Sequence, residues 1–158
     1  MASIHTRIQK AHADLGQYKT QKVWFNNTAG FDAQYGGVFV KASGYGVVEA
    51  TACADIYGII VDAVASGGAF VDVYYGLMDE FTAICELTSG TVMQNTQDCY
   101  AYTSSKIGVG TVGLDIVGRL IGNGIDSNKG AALGDGNRVR FGLVPSEALP
   151  GFDSGNTA

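Results

Sequence analysis

Proline, cysteine, histidine and charge are all scarce in this chain, and each scarcity closes a set of options. The 158 residues include 2 prolines, 3 cysteines and 2 histidines, and 16% of them are charged. The cysteines are Cys53, Cys85 and Cys99. Their number is odd and no pair has C-x-x-C spacing, which argues against a disulfide framework or a zinc site and for buried free thiols. His5 and His12 are seven positions apart with only Asp14 nearby, too sparse a set for a metal centre. No G-x-S-x-G or Walker A sequence is present. No run approaches the roughly 18 apolar residues of a membrane span. Residues 1–21 have no apolar stretch of the kind an export signal carries.

Two further patterns resemble chemistry and fail on context. Residues Gly108 to Gly113 satisfy G-x-G-x-x-G. That fingerprint works only where a helix follows, because the helix N-terminus holds the pyrophosphate. Here Leu114 to Ile121 is short and broken by Gly118, so a glycine loop between strands is expected instead. Asp79 and Glu80 are adjacent, and neighbouring strand residues point to opposite faces, so they do not form a paired-carboxylate site. The expectation is a protein that is not an enzyme and carries no cofactor and no metal.

Glycine, by contrast, is abundant at 23 residues, about twice average usage. The hydrophobic fraction of 46% is ordinary for a globular chain. The glycines punctuate short apolar runs rich in Val, Ile, Tyr and Phe, the pattern of strands joined by tight turns. Strands are expected at 23–25, 38–41, 45–48, 56–62, 69–75, 81–87, 91–93, 99–103, 116–121 and 137–144. Within them Val71, Val73 and Tyr75 share a face opposite Phe70, Asp72 and Tyr74, Phe81, Ala83, Cys85 and Leu87 are aligned, and Val139, Phe141 and Leu143 should point inward with Arg138 and Arg140 outward. The fold class is therefore all-β: an antiparallel barrel or sandwich of short strands and glycine-rich turns, plus an N-terminal arm.

The division expected is an arm over 1–22, a β domain over 23–146 and a tail over 147–158. Residues 1–22 differ from the rest in charge, holding Arg7, Lys10, Lys19 and Lys22 against Asp14. The arm is thus +3 and the remainder −8, which together make the net −5. Ile4, Ile8, Ala11 and Leu15 recur at helical spacing, consistent with a short amphipathic helix or an extended segment that orders on a partner. A basic arm on an acidic body suits an acidic protein partner, whereas the acidic body disfavours nucleic acid. Among the aromatics, the strand face of Phe70, Asp72 and Tyr74 is the candidate protein-contact surface. There is also an internal echo. Tyr57-Gly58-Ile59-Ile60, followed by a Gly-Gly turn and a strand, resembles Val117-Gly118-Arg119-Leu120-Ile121, followed by Gly134-Asp135-Gly136 and a strand.

The order of motifs over residues 36–144 resembles the lambda-like small β-barrel head decoration proteins of tailed bacteriophages. The residues that carry it are Gly37 to Gly44, Tyr57 to Val61, Gly67 to Val73, Leu87 to Val92, Ala101 to Thr103, Ile116 to Leu120 and Gly136 to Phe141. The resemblance implies a homotrimer on the outer capsid surface of a virion, bracing the lattice of the major capsid protein, with the 1–22 arm as the capsid contact. On that view, removing 1–22 should leave a folded trimer that no longer binds capsids. The alternative is a tail-tube or head-fibre subunit.

Overall fold

The computed structural model describes residues 7–12, 18–26, 37–44, 46–50, 56–62, 69–87, 98–109, 116–121 and 137–145. Among them are eleven strands and no helix. The strands are β1 (Gln9–Lys10), β2 (Thr20–Phe25), β3 (Val38–Ser43), β4 (Gly46–Glu49), β5 (Gly58–Ile60), β6 (Ala69–Tyr74), β7 (Glu80–Leu87), β8 (Asp98–Thr103), β9 (Lys106–Val109), β10 (Ile116–Leu120) and β11 (Asn137–Leu143). The expected strands at 23–25, 38–41, 69–75, 81–87, 99–103, 116–121 and 137–144 lie on these elements. The one expected at 91–93 lies outside the described residues.

The strands close into two barrels. The first is the ring β2-β4-β3-β5-β6. The second follows from the order β7-β11-β10-β8-β9 together with the extra β7–β9 pairing, which joins the two ends. A closed ring leaves no sheet edge to template unwanted pairing. The first half of β7 also carries β1 on the side that β9 pairs further along, with Gln9 opposite Thr82 and Lys10 opposite Phe81.

The two barrels are the same object built twice. Each ring has one parallel contact, β2–β4 and β7–β9, between its first and third strands. All other pairings are antiparallel and correspond one to one. The registers match as well, except that β8 stands 59 positions after β3 up to Ala101 and 60 from Thr103, a bulge between them restoring the step. Phe25 faces Val47, and Cys85 faces Ile107, 60 positions later in both strands. Ile59 faces Tyr74, and Arg119 faces Gly142, shifted by 60 and 68. The extra eight residues fall between β10 and β11. The echo seen in the sequence is therefore two pairs of equivalent strands, β5 with β10 and β6 with β11, in a duplication that spans all five.

Gly58 and Gly118 show why that echo survives. A Cβ on Gly58 would stand 2.3 Å from the Tyr74 carbonyl oxygen, and one on Gly118 would stand 2.5 Å from that of Gly142. Tyr74 and Gly142 are themselves equivalent, so both barrels close by the same backbone approach. Gly58→Ala and Gly118→Ala are each expected to lose about 1–3 kcal/mol in urea denaturation, the usual cost of overpacking.

Alternation in the strands places the first barrel's core at Val23, Phe25, Val38, Val40, Val47, Ile60, Val71 and Val73. The second is filled by Phe81, Ala83, Cys85, Ala101, Ile107, Leu120, Val139 and Phe141. Of the positions grouped on one face in β6, β7 and β11, Val71, Val73, Phe81, Ala83, Cys85, Val139, Phe141 and Leu143 are buried, while Tyr75, just past β6, is half-buried. In contrast, Phe39 and Ile59 lie on the outer face of the first barrel and are also fully buried. They belong to the second core cluster because the two barrels pack together there. Aromatic contacts seal this junction: Phe39–Phe141 at 6.2 Å, Tyr18–Phe81 at 5.3 Å, Tyr74–Phe81 at 5.9 Å and Tyr18–Tyr74 at 5.5 Å between centroids. The Phe39 N–H donates to the Ser104 carbonyl at 2.7 Å, and the Ser104 hydroxyl meets the Glu49 carboxylate across the same seam.

This packing corrects the boundary expected after Lys22, which falls inside β2. Thr20, Gln21 and Lys22 pair with Tyr74, Val73 and Asp72 of β6, so they belong to the barrel wall. Ile8 and Tyr18 are buried at the junction. The Ile8 N–H donates to Gly37 O at 3.1 Å, and the Ala11 N–H to Glu80 O at 3.1 Å. Ile8 and Tyr18 thus anchor the described part of this segment at the junction, and Gln9–Lys10 is strand where helical spacing had allowed a helix. Residues 1–6 and 13–17 lie outside the described residues.

Candidate interaction surfaces

The outer face of β2 and β6 carries most of the residues singled out for contact. Antiparallel register sets Lys22 opposite Asp72 and Trp24 opposite Phe70. Lys22 Nζ lies 3.1 Å from Asp72 Oδ1, and the Trp24 and Phe70 rings meet edge to face at 5.3 Å. Phe70 is nonetheless 67% exposed. A large aromatic ring held outward beside an ion pair is the composition of a protein-contact patch. Tyr74 was expected on this face and is not available there. The strand ends at the junction, where burial pulls the ring into the aromatic cluster.

The four basic residues separate by environment. Arg7 is only 7% exposed, and its carbonyl accepts from Arg138 Nη2 at 2.9 Å, so it is a junction residue and not a free contact. Lys10 is half-buried, with its ammonium 5.7 Å from the Tyr74 ring centroid. Lys19 and Lys22 are exposed. Sequence reasoning treated the four alike because charge alone carries no information about depth.

A second surface was not foreseen. The link between the barrels turns through Met78 at φ 63° and leaves Leu77 70% exposed. Leu77, Met78, Ile116 and Val144 line an apolar groove of about 350 Å³ on the second barrel, with the Arg119–Asp98 ion pair (3.2 Å) at its wall. Leu77-Met78 sits in a turn and Ile116 opens a strand, so neither shows the alternation that marks a buried face.

A polar cluster sits where the N-terminal segment crosses β7. His12 Nε2 lies 2.9 Å from Glu80 Oε1, and Arg140 Nη1 lies 3.7 Å from the same oxygen. The Tyr18 hydroxyl donates to the Glu80 carbonyl at 2.6 Å and accepts from the His12 backbone N–H at 3.0 Å. Asp79 turns away, its Oδ2 accepting from the Lys19 N–H at 3.0 Å. The two carboxylates thus serve different partners. The cluster ties the N-terminal segment down, and His12 could only have been linked to Glu80 by knowing that β1 pairs β7.

Cys85 and Cys99 are free and buried, while Cys53 lies outside the described residues. Burial, with Cys85 and Asp98 nearby, holds the Cys99 thiol well above its ordinary 9.0. Burial likewise raises Tyr18 and Tyr74 above 10.0. In each case the folded state favours the neutral form, while the unfolded chain releases its proton first. The stability from these groups is complete below pH 9 and falls as the pH rises through their folded values. The thermal midpoint is therefore expected to drop between pH 9 and 11. Cys85 and Cys99 should react with a thiol reagent only once the protein unfolds, as a parallel labelling experiment would show.

The glycine fingerprint finds a structural explanation. Gly108 is a strand residue in β9, where a Cβ would stand 2.6 Å from the Tyr100 ring, and the next described element is the strand β10. Gly110 to Gly113 lie outside the described residues. Among the described residues no three His, Cys, Asp or Glu side chains cluster to hold a metal ion, and no helix is long and apolar enough to cross a membrane. No protein-family model and no curated protein matches the chain.

Proposed function

We propose that this chain is a non-enzymatic structural virion protein that binds the outer surface of a tailed-phage capsid as a homotrimer and braces the major capsid protein lattice. The observation that carries this reading is the exposed strip on the first barrel. Lys19 and Lys22 are exposed on the first barrel, and Lys22 pairs with Asp72 on the strand face that also carries the Phe70 ring. Lysines on an otherwise acidic protein would meet acidic capsid loops, with trimer valency multiplying weak contacts.

Co-sedimentation with expanded, undecorated capsids tests it. Saturable binding is expected, weakened about tenfold or more by Lys19→Glu with Lys22→Glu and by added salt. Failure of the parent protein to bind, or undiminished binding by the double variant, would overturn the capsid reading. The groove beside Leu77 favours a second reading, a tail-tube or head-fibre subunit. That protein would ignore capsids and form rings or shafts alone in negative stain.

A further inference from the structure

The duplication gives the described strand positions of one barrel counterparts on the other. The groove is the clearest case. Its residues Met78, Ile116, Arg119 and Val144 stand 60 or 68 positions after Tyr18, Ile56, Ile59 and Gly76. Asp98 faces Arg119 across the sheet as Phe39 faces Ile59. The equivalence holds in backbone detail too. The Tyr75 N–H donates to Lys19 O at 3.1 Å, and the Leu143 N–H donates to Asp79 O at 2.9 Å. On the first barrel this face is covered: Tyr18, Phe39, Ile56 and Ile59 are buried in the cluster formed with the second barrel. On the second barrel the same face is bare, with Leu77 70% and Ile116 43% exposed.

The opposite end of the chain is the complement. The second barrel reaches the junction through Ser104, Phe81 and Phe141, and through Arg138, which bonds Arg7 O. Their counterparts on the first barrel are Gly44, Gln21, Val73 and Phe70. Gly44 tips an open turn, where a Cβ would meet nothing within 4 Å. Phe70 is 67% exposed where Arg138 is half-buried. Of the four, Gln21 is half-buried and Val73 is fully buried in the first barrel's core, so Gly44 and Phe70 are the part of this face that stays exposed.

We propose that the chain binds a second copy of itself head to tail, the Leu77–Ile116 groove of one copy receiving the Gly44–Phe70 end of the first barrel of the next. The contact repeats the internal junction, so it is heterologous, and it closes into a ring when the rotation per barrel divides the circle. It supplies the interface for the oligomer in the proposed function but rests on the duplication. Its test uses the chain alone, so a failure to bind capsids leaves it untouched.

The experiment measures solution mass by light scattering for the full chain, for Ile116→Glu, for Phe70→Glu and for an equimolar mixture of the two variants. Both residues are exposed, and unchanged circular dichroism and thermal midpoint confirm folding. The parent chain is expected to be oligomeric. Each variant alone should be monomeric, its self-affinity reduced about 100-fold or more by a carboxylate placed in an apolar contact. The mixture should give a heterodimer, because each variant keeps one intact end and together they supply one good interface. A parent chain that stays monomeric, single variants that keep the parent mass, or a mixture that stays monomeric would each overturn the proposal.

Discussion

Deleting residues 1–22 is expected to destroy the fold of the first barrel, not merely to remove a docking arm. The cut takes away three of the six β2–β6 register pairs, at Thr20, Gln21 and Lys22. Only β2 bridges β6 to β4, so the ring then hangs on Val23–Phe25 and half of the β6 edge is left unpaired. Ile8 and Tyr18 go as well, and burial of side chains of that size contributes about 1.5–3 kcal/mol each. That loss, added to the broken strand pairs, is a large fraction of a total stability of roughly 5–15 kcal/mol. The expected result is loss of cooperative unfolding for about half the near-ultraviolet signal, together with binding of a hydrophobic dye. A truncated protein that melts like the parent would show that 1–22 is dispensable for folding. Capsid binding must therefore be probed with point changes such as Lys22→Ala. Its exposed ion pair with Asp72 contributes at most about 1 kcal/mol, so the fold survives.

The second large effect is expected at Phe141. Its ring is fully buried and touches both Phe39 of the first barrel and Phe81 of the second, so it packs a core and couples two barrels at once. Phe141→Ala removes those contacts and leaves a cavity in a rigid wall, at a cost of about 3–5 kcal/mol. For a chain of this length that corresponds to a fall in the thermal midpoint of roughly 6–20 °C. The barrels share the aromatic seam, so calorimetry of the parent should show one transition, and the variant's should move as a whole or split. If the parent already shows two transitions and only the later barrel's moves, the seam does not couple them. Phe81→Ala should behave alike, since Phe81 contacts Tyr18 and Tyr74 across the same boundary.

The sequence by itself determined the class of fold and much of its interior. Glycine-punctuated apolar alternation is a local signal, and it located β6, β7 and β11 and turned Val139, Phe141 and Leu143 inward, because strand side chains alternate whatever the partner strand is. The buried free thiols at Cys85 and Cys99 followed from spacing alone. Gly58 and Gly118 carried the trace of the duplication, because close backbone approach constrains the residue itself.

Tertiary structure alone decided the rest. Barrel closure and the parallel β2–β4 and β7–β9 contacts depend on which strands meet across 22 residues or more, and no local pattern encodes that choice. It also set the depth of the charged and aromatic residues. Arg7 and Tyr74 look like surface residues in isolation, yet both are buried because two barrels converge on them. Lys22 and Phe70, of similar chemistry, stay outside. Burial is a property of what packs opposite a residue, so the contact surfaces became visible only when one barrel was laid against the other.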